Sequence, residues 1–183
     1  LKQYVSTFFV YTIATTFFIL SIYGCVQDDH TSGRSVFRYN EVESINSLDP
    51  IYTRNLSNIN GCNQLYNGLV QQDDKMHIIP CIAKHWTISS DALTYTFTLR
   101  DDVYFHKSSL FGQDSTRRVT SKDFVYSLNR LVDPKWASPG SWIMANVDRL
   151  PNNGSYEPLN VIAVNDTTLQ IQLHSPYTPF LSI

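Results

Sequence analysis

The sequence predicts an α+β fold in which strands outnumber helices. Two observations carry that prediction. Residues 93–99 alternate apolar and polar side chains without a break, and a second alternating run, 168–173, follows an apolar stretch across an Asn165-Asp166 turn. The composition agrees: 11 Tyr, 10 Phe and 3 Trp in 183 residues suit half-buried strands. The chain is long enough for one ordinary domain with its own core.

The elements can be taken in order. Residues 5–23 are apolar and follow Lys2, the one charged side chain before Asp28. A basic start, an apolar stretch and then small residues are the layout of a secretory signal. A stretch of this length would also cross a bilayer as a permanent anchor helix. Ser21-Ile22-Tyr23-Gly24-Cys25 resembles a bacterial lipobox, with an aliphatic residue three before the Cys and a small residue directly before it. On that reading residues 1–24 are a lipoprotein signal peptide, Cys25 is lipidated, and the polar residues 25–35 are a flexible tether.

Residues 35–40 alternate and read as a short strand, broken by Ser47-Leu48-Asp49-Pro50. From Asn58, the positions Ile59, Cys62, Leu65, Tyr66 and Leu69 recur at helical spacing, and Gly68 is a stop signal. Leu93, Tyr95, Phe97 and Leu99 mark one face of a strand. Asp101-Asp102 turns the chain into the apolar Val103-Tyr104-Phe105. Thr120 opens a helix as its N-cap, Asp123 places negative charge in the first turn, and Phe124, Leu128 and Leu131 share a face. Asp133-Pro134 ends it. The hairpin at 161–173 comes next, then a loop punctuated by Pro176 and Pro179 before Phe180-Leu181.

Several functions are disfavoured. The formal net charge is -2 with no basic cluster, so nucleic acid is a poor partner. There is no GxSxG, HExxH or glycine-rich phosphate loop, and no CxxC spacing or short His pair for a metal. No catalytic residue, cofactor or metal site is expected. Cys62 and Cys81 are compatible with a disulfide or with two free thiols.

The order of short motifs resembles the family 5 extracellular solute-binding proteins, the peptide- and nickel-binding components of ABC importers. Ser47-Leu48-Asp49-Pro50 resembles the family's early LDP turn. Leu65-Tyr66-Asn67-Gly68-Leu69, then Pro80, Ile82-Ala83 and Trp86, are similar to two further segments. Thr94 to Arg100 followed by Val103 and Phe105-His106 is the densest match. Val119-Thr120-Ser121-Lys122-Asp123-Phe124 with Asp133-Pro134 resembles a V-T-A-x-D helix and its stop, and Pro176 through Leu181 a P-x-P-F-L loop. Each motif is weak alone; their number and order are not. Residues 107–118 depart from the pattern as an insertion.

The resemblance implies a periplasmic-binding-protein-like fold of type II, two-lobed and hinged, closing around an extended peptide. It implies that 36–60 and 166–183 are first-lobe segments, that 61–165 is an inserted subdomain, and that the second lobe is not among these residues. It implies ligand contacts from Arg54, Asn55 and Leu56, made through the backbone. A second ligand-facing loop corresponds to 137–142. Where oligopeptide binders carry an aromatic hydroxyl this chain has Gly140, which leaves Ser141 and Trp142 as candidates; Trp142 is equally readable as a core residue. The expected partners are a peptide, the permease subunits of an ABC transporter and a membrane reached through the lipid, for a monomer in the periplasm or on the cell-envelope exterior. Nickel, a sugar or another small solute is the alternative cargo. A structural surface lipoprotein or an envelope hydrolase are the less favoured functions.

Overall fold

The computed structural model describes residues 38–154 and 156–182. The segments read above as signal peptide and tether, Cys25 among them, lie outside the described residues, as does most of the strand expected at 35–40; residues 38–40 are not in a strand. The chain divides into two compact units, Leu1–Asn40 and Glu41–Ile183. The second unit carries every helix and strand among the described residues.

Two α-helices and six strands make up its regular structure: α1 (Leu56–Leu65), β1 (Val70–Gln72), β2 (Ile78–Pro80), β3 (Ala83–Ile88), β4 (Thr94–Leu99), α2 (Ser121–Val132), β5 (Val161–Asn165) and β6 (Thr168–Gln172). Strands β1 and β2 form a small antiparallel hairpin. The other four form one antiparallel sheet in the order β3-β4-β6-β5. The expected strand and hairpin are therefore present, and they are neighbours. The boundary expected between 165 and 166 falls in the turn joining β5 and β6, which pair with each other.

The sheet has two unlike faces because side chains alternate along each strand. On one face Tyr95 stands opposite Ile171 and Phe97 opposite Leu169. These four, with Leu99, Val161 and Ala83, are buried. Tyr95 also meets Phe180 edge to face at 4.8 Å, so the loop after Pro176 closes one end of the core. The other face is polar: the Thr94 hydroxyl donates to Gln172 at 2.7 Å, and Gln170 Nε2 donates to the Thr96 hydroxyl at 3.3 Å.

Helix α2 packs on β5 and β6 through Phe124, Val125, Leu128 and Leu131, the face its spacing predicts. Its start is fixed twice. Asp123 closes a capping box, its carboxylate accepting from the Thr120 N–H at 2.8 Å and from the Thr120 hydroxyl at 3.1 Å. Ser121, fully buried, donates its hydroxyl to the Asn165 carbonyl, and its N–H reaches the Asp166 carbonyl at 2.9 Å. The helix is thus tied to the β5–β6 turn.

Helix α1 differs from its expected form. It starts two residues earlier, at Leu56, and Tyr66 rather than Gly68 ends it. Of the expected apolar face only Cys62 is buried; Ile59, Leu65 and Tyr66 are exposed. A row of asparagines does the anchoring instead. Asn55 donates to Glu43 at 2.9 Å, Asn60 donates to Glu41 at 3.2 Å, and buried Asn58 accepts the Asn46 N–H at 3.0 Å. Gly61 lets this segment approach, since a Cβ there would lie 3.1 Å from Ile45 Cδ1 and 3.3 Å from Leu48 Cδ2. Cys62 and Cys81 are both free thiols, and burial, with the Asp49 charge adding to it, pushes the Cys62 thiol up.

Residues 107–118 form a short excursion rather than an extension of the sheet. Tyr104 and Arg118 bridge its two arms, and the Arg117 guanidinium lies 4.5 Å from the Phe105 ring centre, with Phe111 beside it.

This packing has two testable consequences. Leu169→Ala, at the centre of the buried face, costs about 2–5 kcal/mol in urea denaturation. Ile162→Ala, on the exposed side of β5, changes stability by less than about 0.5 kcal/mol; equal effects would contradict the two-faced sheet. The second consequence concerns acid. Burial works to raise the Asp123 carboxyl, but Arg117 at 2.9 Å and the Thr120 N–H outweigh it and hold it below the usual carboxylate range. Its stabilisation is then complete above the unfolded value of about 3.9 and is lost as pH falls through the lower folded value. Below about pH 4, wild-type stability falls more steeply than that of Asp123→Asn; parallel curves would exclude the linkage.

Candidate ligand site

Asp49 caps the short turn Pro50–Tyr52, its carboxylate accepting the Ile51 N–H. The same carboxylate receives a two-pronged contact from Arg130, near the end of α2, with Nη2 to Oδ2 at 2.7 Å and Nη1 to Oδ1 at 3.3 Å. The Arg130 guanidinium also lies 4.7 Å from the Trp136 ring centre. Hydrogen bonding to Asp49 raises the Arg130 pKa further above its already high value.

A second link lies just beyond it. Ser138 donates its hydroxyl to the Ile51 carbonyl at 2.7 Å and accepts the Gly140 N–H at 3.2 Å. Two segments remote in sequence, 49–56 and 133–142, are joined at their bases by these contacts.

The sequence-predicted site residues sit just past those joints. Thr53 and Asn55 have extended backbone. Asn55 is spoken for: it caps α1, accepting the Asn58 N–H at 2.9 Å, and it donates to Glu43. Arg54 is exposed, and so is Leu56, at 70%. On the other segment, Ser141 and Trp142 open a short 3-10 turn, Ser141–Met144, held down by buried Met144. Trp142 is 72% exposed, which settles its reading against a core residue within this unit. The structure brings the two segments together at their roots; Arg54, Leu56, Ser141 and Trp142 share no hydrogen bond or ring contact with one another.

Asp102, one of the paired acids at 101–102, is held bidentately by Arg100, and that hydrogen bond keeps its carboxyl low. No group of three or more His, Cys, Asp or Glu side chains among the described residues could hold a metal ion. No helix among them is long and apolar enough to cross a membrane. What the arrangement does offer is extended backbone, an exposed cation and an exposed indole, on two segments fixed to one scaffold.

Comparison with known proteins matches residues 77–183 to the family described as bacterial extracellular solute-binding proteins, family 5 Middle. The chain belongs to this family. Among curated relatives, the periplasmic murein peptide-binding protein MppA of Escherichia coli K12 is 38% identical over 143 residues, 75% of this chain and 25% of that protein. The solved structure of MppA aligns with a TM-score of 0.61 at 39% identity, covering 74% of this chain and 26% of the other. The structure of Listeria monocytogenes OppA bound to peptide aligns with a TM-score of 0.64 at 28% identity over 75% of this chain and 26% of the other. The expected fold, that of a periplasmic binding protein of type II, is therefore present in the aligned part. The chain spans about a quarter of the length of these relatives.

Asp49, Arg130 and Ser138 were not singled out by the sequence as site-builders. Asp49 reads as a turn residue and Arg130 simply falls within the predicted helix; their pairing spans 81 positions and has no local signature.

Removing this joint should loosen the site. Arg130→Met leaves the Asp49 carboxylate uncompensated in a half-buried place and costs about 1–3 kcal/mol, between the values for exposed and buried pairs. Hydrogen exchange should rise at residues 49–56 and 138–142 and stay unchanged in β4; unchanged exchange in both segments would show that the pair does not organise them.

Proposed function

We propose that this protein captures peptides outside the cytoplasm and delivers them to the permease of an ABC importer. The observation that carries the proposal is the pair of ligand-ready segments, in a family whose matched members include proteins named for peptide binding. The extended backbone at Thr53 and Asn55 supports strand addition, in which main-chain hydrogen bonds hold a peptide without demanding a sequence. Arg54 would supply charge at one end of such a strand and Trp142 a flat apolar platform, with Ser141 offering a hydroxyl beside it. Asn55 contributes through its backbone, since its side chain is committed to α1 and Glu43. Leu56, exposed, would contact an apolar ligand side chain.

The remaining wall of the cleft belongs to a second lobe, and closure of the two lobes would exclude water from the peptide's polar ends. We place the protein in the periplasm or on the exterior of the cell envelope, held to a membrane by lipid on Cys25, as a monomer. It acts as a carrier, with no chemical step.

The full-length protein without its signal segment should show a melting temperature that rises with the concentration of di-, tri- or longer peptides. Arg54→Ala and Trp142→Ala should each weaken peptide binding about tenfold, or about 1.4 kcal/mol. Both side chains are exposed, so the unliganded melting temperature should hold. A rise with nickel or a sugar alone would replace the cargo. Unaltered peptide affinity in both variants would remove these residues from the site.

A further inference from the structure

A groove runs along α2, between that helix and the segment that leads into β5. Lys122, Tyr126 and Arg130, spaced four residues apart, form one stripe of the helix. Lys135 and Trp136 line it from the turn after the helix, and Tyr156 from the loop before β5. None of the candidate peptide contacts takes part.

Its charge is unusual for this protein. The chain carries a formal charge of -2, yet the groove gathers Lys122, Arg130 and Lys135 around one lining carboxylate, Asp133. Asp49 compensates Arg130 from the other side. Lys122 and Lys135 are in no ion pair among the described residues. Asp133 Oδ1 is occupied by the Lys135 backbone N–H at 3.0 Å. Moreover, the Lys135 ammonium and the Arg130 guanidinium both lie 4.7 Å from the centre of the same Trp136 ring. Since Asp49 balances Arg130, Lys122 and Lys135 are the cations left to meet an anion between the groove walls. Tyr126, 65% exposed, lines the same space and carries a hydroxyl that can donate to an anion.

We propose that this groove is a second ligand site, for a carboxylate or phosphate anion held by Lys122, Lys135 and Tyr126. Lysines suit such a role as point charges, and the aromatic walls lower the local dielectric. The anion can be a free solute or an acidic side chain of a docking protein, and the chemistry of recognition is the same.

Calorimetry on the full-length protein tests this with three probes: inorganic phosphate, succinate, and an acetylated, amidated tri-glutamate that offers no free termini to the peptide site. Saturable binding of at least one probe is expected, weakening as sodium chloride is raised. The double variant Lys122→Gln/Lys135→Gln should bind that probe about tenfold more weakly or worse while keeping its affinity for the transported peptide. Binding of phosphate or succinate identifies a free anion; binding of tri-glutamate alone identifies a protein side chain. Absence of saturable heat with all three probes, or equal affinity in the double variant, overturns the proposal.

Discussion

The pairing of β4 with β6 is the constraint on which the rest of this unit depends. Thr94 stands opposite Gln172, so two strands separated by much of the described chain become nearest neighbours. Closing so long a loop costs entropy, and the buried apolar face that the pairing assembles opposes that cost. Once β4 and β6 are side by side, every residue between them is an excursion with fixed ends. Helix α2 and the turns after it occupy one such excursion and are pinned to the β5–β6 turn through Ser121. The turns after α2 take their position from this chain of attachments.

The first candidate segment, 49–56, precedes the sheet and has no strand of its own. It depends on polar joints. Asn55, Asn58 and Asn60 fasten residues 41–46 to α1, while Asp49 and Ile51 fasten the turn to α2 and the loop after it. Hydrogen bonds are well suited to this task because they are directional: they fix an angle as well as a distance. An apolar contact of equal strength would leave the exposed tips freer to slide.

The difference between these two kinds of attachment explains what was legible in the sequence. Strand β4 and the β5–β6 hairpin were legible because one face is buried and the other is not, which imprints a period of two. Helix α2 was legible for the same reason at a period of 3.6, with Thr120 and Asp133 marking its ends. Helix α1 was misread in its buried face, because Ile59 and Leu65 obey a helical period without being buried, and the anchoring asparagines obey no apolar pattern at all. Strand β3 and the β1–β2 hairpin escaped for a related reason. They are largely exposed, so no alternation is imposed on them. The candidate ligand segments rest on the resemblance of motifs, not on periodicity; the Asp49–Arg130 joint beneath them is a long-range contact between charged residues and left no trace that a local reading could detect.

Gly140 has a consequence of another kind. Its backbone, at φ -92°, is open to any residue. A Cβ there would meet Ile143, Leu131 and Ser138 at 3.5–3.6 Å, which is ordinary contact. Glycine is therefore not required by the fold at this position, beside the exposed indole of Trp142. A single substitution could add bulk, charge or a hydroxyl to the loop while leaving its foundation untouched. Side-chain chemistry at this corner of the loop is therefore free to vary while the packing beneath it stays as it is.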